Sequence, residues 1–317
     1  MQAIVVNKYG SALELEKAQM PDPKPQADEV LVSVRAFSVN PMDIGGRTGQ
    51  MGEIFGVKWE LPVILGWDFA GTVVSVGENV SGFKNGDEVF GELDAVRPDK
   101  NGAYAELVAI KSTNLAHKPA DLSFEEAAAL PIAGLTAWHA INDKLHVQKG
   151  DHVLIQGGAG GVGHIALQLA KHAGAYVVVT ASQEHQSLLS KLGADQVIDY
   201  HTDFVGNVLH DFDKVFDTVG DIVGGLSVLK PAGRLITING SAQLTEEQKN
   251  ASQKPEFMTS YPAPESLTAL GKLVAFDQVR VIVANYPFTT QGIQAAHQEI
   301  QSGHTTGKIV IHLPKNK

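Results

Sequence analysis

The 317-residue sequence contains no cysteine. This absence excludes disulfides, thiolate catalysis, iron–sulfur clusters and every zinc site that uses a cysteine ligand. The twelve histidines are scattered without the spacing of metal ligands, and we expect nearly all of them at the surface. The sequence therefore predicts a protein without a metal site.

Positive charge is also scarce, because 25 Lys and Arg residues face 35 Asp and Glu residues, which gives a net charge of -10. A nucleic-acid-binding protein normally carries a basic surface, so we predict no nucleic-acid partner. Hydrophobic residues make up 44% of the chain and charged residues 19%. This composition supplies a sizeable core and excludes a disordered chain.

The sequence has no long apolar segment. The longest uncharged and mostly apolar stretch, residues 127–141, is shorter than a bilayer requires and contains Pro131 and Gly134. Residues 1–10 lack the basic start and apolar run of a targeting peptide. We therefore expect a cytoplasmic protein without a membrane partner.

Two patterns divide the chain. The first third contains short β-branched runs separated by turn signals at residues 77–79 and 84–87, which is typical of a β-rich domain. From residue 152, apolar strands alternate with helices, which predicts a parallel sheet covered on both faces. The strands are predicted at 153–156, 176–181, 196–199, 214–217, 235–239 and 257–258, and the helices at 161–172, 184–192, 205–209 and 222–229. After residue 263 we expect a helix, a strand at 279–283, a helix at 290–301 and a strand at 308–312.

A glycine-rich loop joins the first of these parallel strands to its helix, and its pattern is Gly158-x-Gly160-x-x-Gly163. A pyrophosphate needs backbone amides and a helix N-terminus close by, and side chains at these positions would obstruct both. A turn that only joins strand to helix is the alternative, but the strand–helix–strand context favours dinucleotide binding. The loop residues predicted to bind the cofactor are Gly158, Gly160, Gly161, Val162 and Gly163.

The end of the next strand bears on the choice of cofactor. A site for NAD usually places an acidic residue there, which binds the ribose hydroxyls. This chain has Thr180-Ala181-Ser182 instead, followed by His185, and a hydroxyl and an imidazole suit a 2′-phosphate. If the strand ends later, Glu184 is placed to bind the ribose. The sequence favours NADPH.

Five further segments appear in a fixed order around this loop: residues 40–43 (Asn-Pro-Met-Asp), 66–71, 102–106, 130–137 and 307–310. Together they resemble the medium-chain dehydrogenase/reductase superfamily, in its zinc-independent quinone oxidoreductase (ζ-crystallin-like) branch. The resemblance implies an α/β fold with a GroES-like β-rich catalytic domain, residues 1–120 and 263–317. It also implies a Rossmann domain with a doubly wound parallel sheet that binds NADP, residues 121–262, and a homodimer.

The resemblance also shows where alcohol dehydrogenases of this superfamily hold catalytic zinc. Those positions carry Asn40, Trp67 and Ile132 here, and none of them supplies a thiolate or an imidazole. Without a Lewis acid the ionisation of an alcohol is difficult, whereas the reduction of an electron-poor acceptor needs no metal.

The resemblance implies further cofactor contacts. Asn40 is expected beside the nicotinamide and Lys308 at a C-terminal contact, although Asn40 and Asp43 are also suited to cap the helix before Arg47, and Lys308 to lie in solvent. Ser182, His185 and Tyr200 match positions that hold the 2′-phosphate. The remaining expected contacts are Thr136, Asn239, Ser241 and the backbone of Phe257 and Met258. Thr136 is equally suited to bond its own helix backbone, and Tyr200 to be an ordinary aromatic at a strand end.

Family members commonly carry a substrate-facing tyrosine after the first Arg-x-Gly, but residues 50–55 contain none. This departure argues against an enoyl-thioester reductase and indicates an apolar pocket, with Phe55, Trp59 and Trp67 as further candidates beside Asn40. The leading hypothesis is an NADPH-dependent reductase of a small quinone or related α,β-unsaturated carbonyl. The alternatives are an enal, enone or enoyl-thioester double-bond reductase and a non-catalytic NADPH-binding sensor.

Overall fold

The computed structural model describes residues 1–56, 59–94, 101–239 and 254–314. The chain divides into two compact units. Unit 1 comprises Met1–Ile132, Tyr261–Ala275 and Val283–Lys317, and unit 2 comprises Ala133–Ser260 and Phe276–Ile282.

Unit 1 is built mainly from β-strands. Its strands are β1 (Gln2–Val6), β2 (Leu15–Gln19), β3 (Glu29–Val39), β4 (Val63–Ile64), β5 (Asp68–Val76), β6 (Glu88–Glu92), β7 (Leu107–Lys111), β8 (Leu115–His117), β15 (Val283–Pro287) and β16 (Lys308–His312). Its helices are α1 (Pro41–Thr48), α2 (Gln50–Phe55), α3 (Phe124–Ala129), α9 (Pro264–Ala275) and α10 (Thr290–Ser302). Helix α4 (Pro131–Trp138) begins in unit 1 and continues into unit 2.

The strands of unit 1 form two sheets. One has the order β2-β1-β4, and the other has the order β15-β16-β3-β5-β6-β8, with β7 paired to β3. Alternate residues of β3 face the core, as the burial of Val30, Val32 and Val34 shows. The ring of Phe37 stacks on that of Tyr104 with centroids 4.6 Å apart. This core holds together strands from both ends of the chain.

Unit 2 is a single parallel sheet with helices. Its strands are β9 (His152–Gln156), β10 (Tyr176–Ala181), β11 (Gln196–Asp199), β12 (Phe212–Asp217), β13 (Leu229–Thr237) and β14 (Glu256–Phe257), and its helices include α5 (Gly163–His172), α6 (Gln186–Lys191), α7 (Val205–Val208) and α8 (Ile222–Ser227). The order β11-β10-β9-β12-β13-β14 is that of a Rossmann sheet, with the strand order reversing beside the first strand. The predicted fold class is confirmed.

One strand prediction is wrong. The β-branched run at 279–283 predicts a strand, but the strand begins only at Val283. The main-chain N–H of Arg280 donates to Gln168 Oε1 (2.7 Å) and that of Ile282 to His164 Nε2 (3.2 Å). Side chains of helix α5 therefore take the hydrogen bonds that a strand partner would otherwise make.

The histidine prediction needs a correction as well. His139, His164 and His297 are buried, because each lies on a helix face that packs into its unit. The other nine histidines are exposed or partly exposed.

Gly163, the first residue of α5, permits the close approach of this helix to the preceding loop. A Cβ atom here would lie 2.1 Å from the carbonyl oxygen of Gly157, which is backbone and has no freedom to rotate away. We expect Gly163→Ala to lower the free energy of unfolding by about 1–3 kcal/mol. Gly160→Ala is the matched control, because its nearest atom would be 3.5 Å away. Thermal unfolding of both variants measures this difference, and equal melting temperatures would contradict the prediction.

Candidate functional site

The glycine-rich loop of unit 2 lies at the carboxyl end of β9 and is anchored by the end of β10. The N–H of Gly157 donates to Thr180 Oγ1 (3.0 Å), and the N–H of Gly158 donates to the Thr180 carbonyl oxygen (2.9 Å). Gly157 has φ +82°, which favours glycine. Thr180 therefore sets the shape of the loop from the neighbouring strand.

This loop fits a pyrophosphate. A Cβ atom on Gly158 would lie 2.6 Å from Val179 Cβ, so the loop packs directly on the sheet. Gly160, Gly161 and Val162 are partly exposed and precede the N-terminus of α5. The exposed part of the loop thus presents mainly backbone beside the positive end of a ten-residue helix, which is the arrangement that binds phosphate groups.

The next strand end brings together the residues expected at a 2′-phosphate. Strand β10 ends at Ala181, which pairs with Asp199 of β11, so Ser182 and Tyr200 leave the sheet side by side. Ser182 Oγ donates to Glu184 Oε1 (3.2 Å), and His185 Nε2 lies 3.5 Å from the same carboxylate. Because the strand ends before Ser182, Glu184 lies in a following helical turn and not at the strand end.

The remaining residues predicted in unit 2 differ in exposure. Thr136 is buried in α4. Asn239 follows β13, and its Nδ2 donates to the Val219 carbonyl (3.1 Å). The Phe257 side chain is exposed, whereas that of Met258 is buried and its N–H donates to the Thr237 carbonyl (2.9 Å). Ser241 lies outside the described residues.

The sequence reasoning missed Asp217, the buried last residue of β12. Its carboxylate accepts the N–H of Gly220 (2.8 Å) and the hydroxyl of Thr237 (2.7 Å). Asp217 therefore shapes the loop after β12 at the same carboxyl edge of the sheet.

Unit 1 has a buried charged cluster at the ends of three strands. Asn40 follows β3, Asp68 opens β5 and Lys308 opens β16, and all three are at least 96% buried. Asn40 Nδ2 donates to Asp68 Oδ2 (2.9 Å), and Lys308 Nζ donates to Asn40 Oδ1 and lies 3.8 Å from Asp68 Oδ2. Asp68 also accepts the Ser38 hydroxyl (2.5 Å) and the N–H of Ile132 (3.0 Å).

Burial shifts the pKa values of the two charged groups of this cluster in opposite directions. It raises the pKa of Asp68, while Lys308 and the hydrogen bonds from Ser38, Asn40 and Ile132 oppose the rise. It lowers the pKa of Lys308, and the carboxylates of Asp68 and Asp43 oppose that fall. Each charge is therefore tolerated because the other is present.

Asp43 holds the main chain of Asn40. Its carboxylate accepts the main-chain N–H of Asn40 (2.7 Å) and that of Gly66 (3.1 Å). Asp43 thus has a structural role, whereas the Asn40 side chain contacts Asp68 and Lys308. Asn40 is also the N-cap residue of helix α1, where it forms a capping box with Asp43, so the capping role is present together with these side-chain contacts.

A second buried polar group lies beside this cluster and was not predicted. The Tyr104 hydroxyl and His297 Nε2 are 3.0 Å apart. Burial and the nearby Asp43 raise the pKa of Tyr104, and burial together with Arg47 lowers the pKa of His297 to about 3. His297 is therefore neutral at physiological pH.

Two of the aromatic pocket candidates are almost completely buried in unit 1. Trp59 and Trp67 are 5% and 1% exposed, and their ring centroids are 6.3 Å apart in the core of unit 1. The side chain of Phe55 lies outside the described residues. The structure thus leaves little indole surface exposed on unit 1.

Within the ranges that the structure describes, no group of three or more histidine, aspartate or glutamate side chains is arranged to hold a metal ion. Across those same ranges, no helix combines the length and apolar character needed to cross a bilayer.

Comparisons with known proteins agree with this architecture. Residues 26–120 match the alcohol dehydrogenase GroES-like domain family, and residues 192–311 match a family described as zinc-binding dehydrogenase. A 2-methylene-furan-3-one reductase of Solanum lycopersicum is 35% identical over 98% of this chain and 79% of its own. An NADPH-dependent alkenal/one oxidoreductase of Arabidopsis thaliana chloroplasts is 32% identical with the same coverage. The solved structure of a quinone oxidoreductase from Coxiella burnetii has a TM-score of 0.90 at 34% identity and covers 99% of both chains.

The GroES-like unit and the Rossmann sheet with its glycine loop define a nucleotide-dependent oxidoreductase fold. The chain belongs to the medium-chain dehydrogenase/reductase superfamily, in its quinone oxidoreductase branch.

The burial of Glu92 in unit 1 makes the stability of the protein depend on pH. It lies directly opposite Asp68 in the β5–β6 pair, and burial together with Asp68 and Asp94 raises its pKa from 4.5 to about 8. In the folded protein Glu92 therefore retains a proton that it releases above pH 4.5 in the unfolded chain, so the contribution of this residue to stability is largest below that pH, falls up to about pH 8 and then levels off. One pKa unit corresponds to about 1.4 kcal/mol.

We expect Glu92→Gln to flatten this decline, because a neutral amide does not ionise. Chemical unfolding at a series of pH values across the window measures the slope. Glu78→Gln changes an exposed residue and is the control that should keep the wild-type slope. An unchanged slope in Glu92→Gln would show that Glu92 is not the titrating group.

Proposed function

We propose that the protein is a zinc-independent, NADPH-dependent reductase that transfers hydride to a quinone or a related α,β-unsaturated carbonyl compound. The observation that supports the proposal is the hydrogen bond from the buried ammonium of Lys308 to the side-chain carbonyl of Asn40, next to the carboxylate of Asp68. By the resemblance, Asn40 occupies a position where alcohol dehydrogenases of the superfamily hold zinc. In this chain the local positive charge comes from a lysine.

The three zinc-ligand positions support a metal-free reaction. The Asn40 carbonyl already accepts a hydrogen bond from Lys308, Trp67 is packed in the core, and Ile132 contributes its N–H to Asp68. A dication at this point would lie against an ammonium group, and the three side chains offer no thiolate or imidazole. The family description that names zinc therefore does not fit these residues.

Unit 2 supplies the residues suited to the cofactor. Bound NADPH would supply hydride, and the glycine loop with the N-terminus of α5 would hold its pyrophosphate. Ser182, His185 and Tyr200 would hold the 2′-phosphate through hydroxyl and imidazole groups. Thr136, Asn239, Phe257 and Met258 remain proposed contacts, as does Ser241.

In unit 1, the roles of the buried cluster are electrostatic. Asn40 and Lys308 are proposed at the nicotinamide side of the cofactor. Their polar groups are held in place before any ligand arrives and are shielded from water, which strengthens their effect on charge that develops in the acceptor. Catalysis then rests on position and on the exclusion of water.

The relatives' names support the acceptor class. Two plant relatives are named as reductases or oxidoreductases of a methylene-furanone and of alkenals or enones, and the bacterial structure is named a quinone oxidoreductase. The plant names favour a second candidate, a reductase of activated C=C bonds with little activity toward quinones. A cytoplasmic location and a homodimer stay predictions.

The purified protein mixed with NADPH and a panel of quinones, enals and enones should oxidise NADPH, and a chelator should leave the rate unchanged. Product analysis separates the two candidates, because one gives a hydroquinone or semiquinone and the other a saturated carbonyl. NADPH binding without oxidation by any acceptor would overturn the reductase proposal in favour of a sensor.

Ser182→Asp should weaken NADPH binding by more than about tenfold while NADH binding changes little, since a carboxylate would face the 2′-phosphate. Fluorescence titration measures both dissociation constants. Gly160→Ala is the companion variant, because a side chain in the loop should weaken NADPH and NADH alike. An unchanged preference in Ser182→Asp would mean that the 2′-phosphate binds elsewhere.

A further inference from the structure

Asp68 contacts four other residues of the unit 1 cluster, although the resemblance assigns it no role. Its carboxylate accepts hydrogen bonds from Ser38, Asn40 and the Ile132 N–H and forms an ion pair with Lys308. The residue is fully buried. A fully buried carboxylate with this many partners determines where each of them points.

The charges around Asn40 allow a single orientation of its amide. Nδ2 faces the carboxylate of Asp68, which only accepts hydrogen bonds when ionised, and Oδ1 faces the ammonium of Lys308, which only donates. If the amide rotated by half a turn, its oxygen would face the carboxylate and its NH₂ group the ammonium. Both contacts would be repulsive, so Asp68 and Lys308 together fix the orientation.

Lys308 depends on Asp68 for its charge. The ammonium is buried, and the groups that face it are Asp68 of β5, Asp43 of α1 and the main-chain carbonyl of Val39 at 3.4 Å. Glu92 of β6 lies opposite Asp68, and Tyr104 is close enough for Asp68 to affect its ionisation. Of the two carboxylates that face Lys308, Asp68 makes the larger contribution.

We propose that Asp68 is the positioning residue of this site, which fixes the Asn40 amide and keeps the Lys308 ammonium beside it. The expected effect on kcat rests on the proposed function, whereas the positioning of Asn40 and Lys308 by Asp68 does not. Asp68 itself need not touch the acceptor, because it acts through Asn40 and Lys308.

The test compares Asp68→Asn with Glu92→Gln, which removes a carboxyl group from the adjacent strand. Lysine labelled with ¹³C at Cε reports the ionisation of Lys308 in the protein without cofactor, and the Lys308→Met variant identifies the signal. In Asp68→Asn we expect Lys308 to titrate at a lower pH than in the wild type. In Glu92→Gln it should stay protonated at neutral pH.

The kinetic readout is the pH profile of kcat for NADPH oxidation. Asp68→Asn should lower kcat on the order of 10- to 100-fold and move the alkaline limb of the profile to lower pH, with a smaller change in KM for NADPH. Glu92→Gln should keep a kcat near that of the wild type. In Asp68→Asn/Lys308→Met, the loss should be smaller than the product of the two single losses.

An unchanged titration of Lys308 in Asp68→Asn, or losses that multiply fully in the double variant, would overturn the proposal. If Asp68→Asn does not fold, Asp68→Glu takes its place, because it keeps the negative charge but displaces the carboxylate from Asn40 and Lys308. We then expect both kcat and the titration of Lys308 to differ from the wild type, and wild-type values of both overturn the proposal. If the wild type reduces no acceptor, the proposed function fails, while the titration still decides the role of Asp68.

Discussion

The amide of Asn40 lies between a buried carboxylate and a buried ammonium, and unit 1 depends on keeping these two charges paired. Asp68 and Lys308 open strands β5 and β16, on either side of β3. Either charge alone would be strongly destabilising in this interior, whereas the pair with its hydrogen bonds is tolerated. The last strand of the chain is therefore tied to the first third by electrostatics as well as by the β-ladder.

The two units use the ends of strands in different ways. In unit 2 the carboxyl edge of a parallel sheet carries loops shaped by Thr180 and Asp217, and these loops leave backbone groups near the N-terminus of α5. In unit 1 the strand ends bring charged side chains into the interior. One unit thus exposes mostly backbone, which suits phosphate groups, and the other holds an ammonium and an amide in its interior with their hydrogen-bond partners in place.

The same positions serve different chemistry across this superfamily. A zinc site needs anionic or imidazole ligands, and a metal dication carries the positive charge. The resemblance implies that Asn40, Trp67 and Ile132 stand at those positions here, and the ammonium of Lys308 lies 3.8 Å from the carboxylate of Asp68. The charges of Asp68 and Lys308 cancel, so the cluster carries little net charge.

The sequence alone determined the features that depend on near neighbours in the chain. The glycine loop, the strand–helix alternation after residue 152 and the lack of cysteine needed no tertiary contact to be recognised, and the order of motifs indicated the family. The run at 279–283 was misleading, because His164 and Gln168 on α5 take its hydrogen bonds. In the sequence Asp68 stood out only as part of a motif, and no neighbouring residues predicted the burial of Glu92 or His297. Their properties come from burial and from partners that are distant in the chain, such as Lys308 for Asp68 and Tyr104, 193 residues away, for His297. Only the tertiary structure brought Lys308 onto Asn40, because periodicity reports which face of a strand is buried but not which distant charge meets it there.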